Sequence, residues 1–206
     1  MEKKYILTDE TIEYLGHTLH RIKAVKNFAT ISAGTLGGYV ESETNLDHTC
    51  AAWVYENAKV TGAAVVSGAA WVSGAARVTG DARVTGDALV TDSALVSGAA
   101  RVSGAAVVSG AAVVSGAAVV SGAAVVSGDA VVSGDADFAV ISGFGRVFRT
   151  TTFFRCKDNL VRCQCGCFYG TVDEFRSKVR ETHGSSKYAK EYLMIADLME
   201  LHFKED

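Results

Sequence analysis

A six-residue repeat runs from Ala52 to Phe138 and constrains the fold more than any other feature of the sequence. Each unit reads Ala-x-Val-Ser/Thr-Gly-Ala/Asp, as in residues 82–87, and residues 106–128 are near-perfect copies of Ala-Val-Val-Ser-Gly-Ala. Alanine and valine two positions apart lie on the same face of an extended segment. The glycine that follows suits a tight corner. Each unit therefore predicts a short strand and a turn.

The repeat excludes two other architectures. A helix would place successive valines on different sides, and a glycine in every unit opposes helix formation. A flat meander with two-residue corners would need longer strands. We therefore expect residues 52–148 to form a coil in which each unit is one side of a triangular prism. The fifteen units from Val54 to Phe138 give five coils, about 24 Å long at about 4.8 Å per strand.

The spacing of an aliphatic residue and a small residue four positions later, as in Val84 and Ala88, resembles the hexapeptide-repeat family. That resemblance implies a left-handed parallel β-helix, with the handedness taken from the family. Residues 36–46 and 52–55 resemble the entry segment of bacterial and prophage hexapeptide proteins of the YdcK type. Residues 165–175 resemble a tail module of phage-encoded proteins of Gram-positive bacteria. The resemblances imply a phage or prophage origin.

The segment before the repeat, residues 1–51, is predicted to be a β capping segment with an irregular first coil. Val40 and Leu46 are six residues apart and would form that coil, before an insertion of two residues. A cap is needed because an open end would offer unpaired strand edges. Alternating polarity predicts strands at residues 4–7, 11–15 and 19–25, with turns at residues 8–10 and 16–17.

After the repeat, residues 149–206 are predicted to form a separate α+β domain, because the composition changes abruptly. A β-hairpin is expected, with strands at residues 153–156 and 160–168. Thr171 and Glu174 form a capping box that predicts a helix over residues 172–182. A second helix is predicted over residues 186–203, with an apolar face for the core.

The outward residues that precede each buried valine form three vertical rows, because positions eighteen apart stack. One row is apolar throughout: Trp53, Trp71, Leu89, Val107 and Val125. The second row includes Lys59 and Arg77, and the third row includes Arg83 and Arg101. Apolar patches of this extent usually mark an interface, although β-branched residues also suit strands in general. We therefore hypothesise a homo-oligomer, dimer or trimer, associated through the apolar row, as the family resemblance also implies.

Cysteines supply one possible metal site in the C-terminal domain. The candidate ligands are Cys156, Cys163, Cys165, Cys167 and His183. Thiolates favour zinc, and a structural zinc would stabilise a small domain. However, cysteines on alternate positions of one strand lie about 7 Å apart, too far to share one tetrahedral ion easily. The sequence thus leaves zinc and free thiols open, and no other cofactor is expected.

Histidines provide the only argument for an enzyme. Hexapeptide acyltransferases use a histidine base, but the histidines of this chain lie outside the regular units: His17, His20, His48, His183 and His202. We predict no catalytic residue and a non-catalytic structural or binding protein. The alternative is an acyltransferase-like enzyme with a site at His48, near the first coil.

Composition restricts partners and location. A net charge of −3 argues against general nucleic-acid binding. Glycine and serine interrupt every long apolar run, so no membrane span is expected. Residues 1–5 lack the apolar stretch of a secretion signal. Five cysteines are an odd number, which favours a reducing, cytoplasmic location. An unidentified protein partner is expected to bind the repeat or the C-terminal domain.

Overall fold

The computed structural model describes residues 2–204, and its N-terminal part is an antiparallel three-stranded sheet. Its strands are β1 (Tyr5–Tyr14), β2 (His17–Ala24) and β3 (Leu36–Val40). The predicted turn at residues 8–10 is wrong. β1 continues through these residues, and the extra length is accommodated as an irregularity in its pairing with β2.

The repeat forms a parallel β-solenoid, as predicted, with stacked strands of two residues each. The strands β4–β17 are Trp53–Val54, Lys59–Val60, Val65–Val66, Trp71–Val72, Arg77–Val78, Arg83–Val84, Leu89–Val90, Leu95–Val96, Arg101–Val102, Val107–Val108, Val113–Val114, Val119–Val120, Val125–Val126 and Val131–Val132. Each strand pairs with the third strand after it in the chain, which gives the coil three sides. Face 1 contains β5, β8, β11, β14 and β17 and continues into β3; face 2 contains β4, β7, β10, β13 and β16; face 3 contains β6, β9, β12 and β15.

A column of valine and alanine side chains fills the solenoid. The repeat valines of residues 54–132 are 0% exposed, and the alanines two positions before them are at most 1% exposed. Burial of each valine contributes about 1.5–3 kcal/mol. Val40 and Leu46 form the predicted first coil, since both are fully buried and pair with Val60 and Val66.

Tight corners explain the glycine of each unit. Gly86 has a φ of 70°, and a Cβ on it would lie 2.9 Å from a backbone nitrogen of the next coil. Glu56 and Asp92 occupy corners without glycine, also at positive φ. Their carboxylates accept hydrogen bonds of 2.9 Å from the N–H groups of Gly74 and Gly110. These charge-assisted bonds to the next coil offset the cost of the left-handed backbone.

The two ends of the solenoid present opposite backbone groups. The N–H groups of each coil donate to carbonyl groups of the following coil, as Lys59 N–H does to Ala76 O at 2.9 Å. The first regular coil, residues 52–66, therefore needs donors from outside the repeat for its carbonyl groups, and the last coil needs acceptors for its N–H groups. Such edges must be satisfied where they are buried.

Donors from the N-terminal segment satisfy carbonyl groups of the first regular coil on every face. Tyr39 N–H donates to Ala58 O on face 1 at 2.9 Å, Lys4 Nζ to Ala52 O on face 2 at 2.8 Å, and Asn45 Nδ2 to Ala64 O on face 3 at 2.9 Å. Asn45 is 0% exposed and Lys4 is 1% exposed. On face 3 the Asn45 side chain adds to a backbone bond from Asp47 N–H to Val66 O at 3.0 Å, whereas on face 2 the Lys4 ammonium takes the place of a strand.

Oxygen acceptors cover N–H groups at the other end. The hydroxyl of Thr152 accepts a hydrogen bond of 3.0 Å from Val125 N–H on face 2. Asp137 accepts bonds from the N–H groups of Ser133 and Gly134, at 2.8 and 3.1 Å. The capping groups therefore match the polarity of each end.

The C-terminal domain contains a separate antiparallel sheet in the order β18-β19-β20-β21. Its elements are β18 (Phe138–Phe144), β19 (Arg149–Arg155), β20 (Val161–Cys165), β21 (Phe168–Thr171), α1 (Val172–His183) and α2 (Lys187–His202). Phe138, expected as the last repeat unit, begins β18 instead, because a 3-10 turn at Asp135–Asp137 redirects the chain.

Strand β19 joins the two hydrophobic cores of the molecule. Phe153 packs in the core of the C-terminal domain, whereas its neighbours Phe154 and Cys156 pack against the end of the solenoid. Alternation along a strand explains this, since adjacent side chains point to opposite faces.

Both predicted helices are confirmed. Thr171 Oγ1 accepts a bond from Glu174 N–H at 3.3 Å, and Glu174 Oε2 accepts one from Thr171 N–H at 2.8 Å, which completes the capping box. Gly184 follows α1 at a φ of 56°, where an L side chain is disfavoured. Within residues 2–204, neither helix combines the length and apolar character needed to cross a membrane.

Candidate functional site

The apolar row lies on face 2, in the register that the sequence predicts. Trp71 pairs with Leu89, Leu89 with Val107, and Val107 with Val125 along successive parallel strands. Trp71 is 40% exposed, and the other three side chains are half-buried. Four coils therefore present one continuous line of large apolar side chains.

Trp53 belongs to the same row, but the prediction that it is exposed is wrong. Its side chain is 0% exposed. The N-terminal segment covers it: the ring of Phe28 lies 5.4 Å away and that of Tyr5 lies 6.1 Å away, between ring centroids. These contacts are distant in sequence, so no local pattern indicated them. The accessible row, called the face-2 row below, consists of Trp71, Leu89, Val107 and Val125.

A shallow pocket adjoins the face-2 row at its N-terminal end. Its volume is about 400 Å³, and its lining residues are Ala29, Ala51, Ala69, Trp71, Asp87, Ala88 and Leu89. Four of the lining residues are alanines, and Tyr55 lies against Trp71 at 5.4 Å between ring centroids. The surface therefore combines a projecting indole with an apolar depression beside it.

Faces 1 and 3 differ from face 2 in charge. On face 1, Lys59 and Arg77 occupy adjacent positions of the equivalent row. On face 3, the exposed side chains of Arg83 and Arg101 pair directly across the sheet. Like charges in adjacent positions oppose the close approach of an identical surface. The face-2 row contains no such pair of charges, so charge repulsion opposes its contact with an identical surface least.

The candidate zinc ligands are dispersed by the fold. Cys163 is buried in the core of the C-terminal domain, and Cys156 is buried against the solenoid. Cys165 is half-buried beside Thr151, whose hydroxyl donates to its sulfur at 3.1 Å, and Cys167 is exposed. Within residues 2–204, no three His, Cys, Asp or Glu side chains form a group that could hold a metal ion. Burial raises the pKa of the Cys163 thiol, as expected of a core residue.

His48, the residue of the acyltransferase alternative, is part of the N-terminal cap. Its ring stacks on Tyr5 at 4.2 Å between centroids. Nδ1 accepts a bond of 3.4 Å from the backbone N–H of Lys4. Nε2 is buried, 3.9 Å from Glu43 Oε2, and burial lowers the pKa of the imidazole. A general base must reach a substrate proton, and this geometry does not favour that role.

Lys4 provides a test of the cap by pH. Its buried ammonium also donates to Cys50 O at 2.7 Å, and burial lowers its pKa from 10.5 to about 8. Between these two values the unfolded chain binds more protons than the folded one, so this group makes the protein more stable as the pH rises.

We expect the stability of the native protein relative to Lys4→Met to increase between pH 7.5 and pH 10.5. Urea denaturation of both proteins at these pH values measures the difference. Groups with a raised pKa, such as the buried phenol of Tyr5, make the protein less stable as the pH rises. They are present in both proteins, so their effect cancels in the difference. A difference that is constant with pH would show that Lys4 does not titrate in this window.

Comparison with known proteins assigns no function to these surfaces. No protein-family model matches the chain, and no curated protein matches it. The geometry of the face-2 row therefore carries the functional argument.

Proposed function

We propose that the protein is a non-catalytic structural or binding protein that associates with copies of itself, as a dimer or trimer, through the face-2 row. The observation that carries this proposal is the unbroken apolar line of exposed Trp71 and half-buried Leu89, Val107 and Val125 on one side of a rigid solenoid. Contiguous exposed apolar surface on a folded protein usually marks an interaction site.

Self-complementarity favours a second copy as the partner. A closed two-fold interface brings the same patch of both protomers together. Trp71 projects beside the alanine-lined pocket, so in such an arrangement the indole of each protomer can fill the pocket of its partner. Tryptophan contributes strongly to interfaces when it enters a well-packed pocket.

The variant Trp71→Lys/Leu89→Lys tests the proposal. Both side chains point away from the solenoid core, so the fold should persist, while two buried ammonium groups would oppose association by a factor of about 100 or more. Sedimentation velocity over a range of concentrations measures the assembly state. The matched control is Leu95→Lys/Val113→Lys, which places the same charges on half-buried positions of face 1.

Dissociation of the face-2 variant, with retained assembly of the face-1 control, is the expected result. If the face-2 variant keeps the assembly state of the native protein, the row is not the interface. Circular dichroism of both variants establishes that the solenoid is intact.

The origin and location of the protein form part of the same proposal. The resemblance of residues 36–46 and 52–55 to prophage hexapeptide proteins supports an accessory role of phage or prophage origin. Five unpaired cysteines support a reducing, cytoplasmic environment. Near-identical units also allow the length of the solenoid to change by gain or loss of repeats, which would change the extent of the face-2 row.

A further inference from the structure

A cavity of about 320 Å³ lies in the C-terminal domain, remote in the chain from the face-2 row. Its lining residues are Arg146, Val147, Arg149, Cys165, Cys167, Phe168, Phe175, Lys178, Val179, Thr182, His183 and Tyr192. They come from the β18–β19 and β20–β21 hairpins and from both helices. The volume is at the lower end of the range of about 300–1,000 Å³ typical of small-molecule sites.

Aromatic side chains form the inner wall of the cavity. Phe175 and Tyr192 are buried and meet edge to face at 5.7 Å between ring centroids. The ring of Phe168 lies 5.7 Å from that of Phe175, and His183 stacks on Tyr192 at 5.8 Å. A flat aromatic ring in the cavity would make the offset and edge contacts that such side chains prefer.

Exposed basic side chains line the cavity. Arg146, Arg149 and Lys178 contribute three positive charges, and none of the described lining residues is an aspartate or a glutamate. Lys178 pairs with Glu181 at 2.9 Å. Within residues 2–204, neither arginine forms an ion pair with a carboxylate. Two guanidinium groups are therefore available to an anionic ligand, and each can bind a carboxylate through two parallel hydrogen bonds.

The β20–β21 turn helps to position Arg149. Gly166 begins this two-residue turn at a φ of 60°, which favours glycine at the first position of the turn. The Arg149 guanidinium lies against Gly166, where a Cβ would collide with it. The absent side chain thus leaves space for Arg149 beside the cavity.

We propose that this cavity binds a small aromatic carboxylic acid. The aromatic ring packs against Phe168, Phe175 and Tyr192, and the carboxylate binds Arg146 and Arg149. Apolar walls without a cation would favour a neutral analogue, because a carboxylate loses its hydration on burial, whereas charge-assisted hydrogen bonds to the arginines favour the acid. This site is independent of self-association, since none of its lining residues belongs to face 2.

Titration of the full-length protein with 2-naphthoate and with its neutral analogue 2-naphthalenemethanol tests the proposal. We expect the acid to bind about tenfold or more tightly than the alcohol, by NMR shifts of the C-terminal domain. Arg146→Gln/Arg149→Gln should weaken acid binding about tenfold or more and leave alcohol binding unchanged. Arg77→Gln/Arg83→Gln, on the solenoid, is the control with the same change of net charge and should bind both probes normally.

Thr182→Trp provides a second, independent variant. Thr182 lies on the exposed side of α1 and lines the cavity, so an indole there should fill the space without disturbing the core. We expect this variant to bind neither the acid nor the alcohol. Equal affinity for acid and alcohol, no binding of either probe, unchanged acid binding in Arg146→Gln/Arg149→Gln, or acid binding retained in Thr182→Trp would each overturn the proposal.

Discussion

Asn45→Asp is expected to lower the free energy of unfolding by about 1–3 kcal/mol or more, because the buried carbonyl group of Ala64 loses its donor and the partly buried carbonyl group of Gly62 loses the same donor. The Asn45 amide donates to Gly62 O and Ala64 O, both at 2.9 Å, at the N-terminal end of face 3. Aspartate has the same shape and keeps the acceptor for Ser42 N–H, which is 2.8 Å from Oδ1. Its second oxygen, however, faces two carbonyl oxygens.

The pH dependence of this variant identifies the cause. Burial beside carbonyl groups raises the pKa of the new carboxyl above its unfolded value. Its destabilising effect should therefore be full at neutral pH and decrease as the pH falls through the folded pKa. Chemical denaturation at pH 7 and pH 5 measures this.

Asn57→Asp is the matched control, since Asn57 is exposed. It should change stability by less than about 0.5 kcal/mol. If Asn45→Asp is as stable as this control, the Asn45 amide does not cap the solenoid.

Gly38→Ala is expected to lower the free energy of unfolding by about 3 kcal/mol, because overpacking of a rigid backbone costs about 1–3 kcal/mol or more. A Cβ on Gly38 would lie 2.6 Å from Ala58 O and 2.7 Å from Val54 Cγ1. β3 must then move away from the coil that contains Val54 and Ala58, which weakens the bond from Tyr39 N–H to Ala58 O, 2.9 Å long in the native protein.

Gly134→Ala separates this clash from the general effect of replacing glycine. Gly134 has an extended backbone, with a φ of −160°. Apart from its chain neighbours, no heavy atom of residues 2–204 would lie within 4 Å of a Cβ on it. Thermal unfolding should show a large decrease for Gly38→Ala and little change for Gly134→Ala. Equal midpoints for the two variants would contradict the close packing of β3 on the solenoid.

The solenoid could be predicted because its determinants are local and repeated. Each unit specifies its own strand and corner, and stacking at a fixed period places Trp71 beside Leu89 without further information. Helix α1 was predictable for a similar reason, since Thr171 and Glu174 are close in sequence and form the cap together.

Features that depend on distant segments could not be predicted. Trp53 has the same repeat environment as Trp71, but the N-terminal segment covers it through the rings of Tyr5 and Phe28. Asn45 and Lys4 carry no sequence pattern that indicates a capping role. The C-terminal cavity depends on the order of the antiparallel strands, which brings Arg149 to Gly166 and Phe168 to Phe175.

Native mass spectrometry of the purified chain tests the central claim most directly, because one chain has a mass of 21.6 kDa and each added subunit gives a separate peak series. The proposed self-association through the face-2 row predicts a dimer or a trimer at micromolar protein concentration. A monomer as the sole species across that concentration range would contradict it.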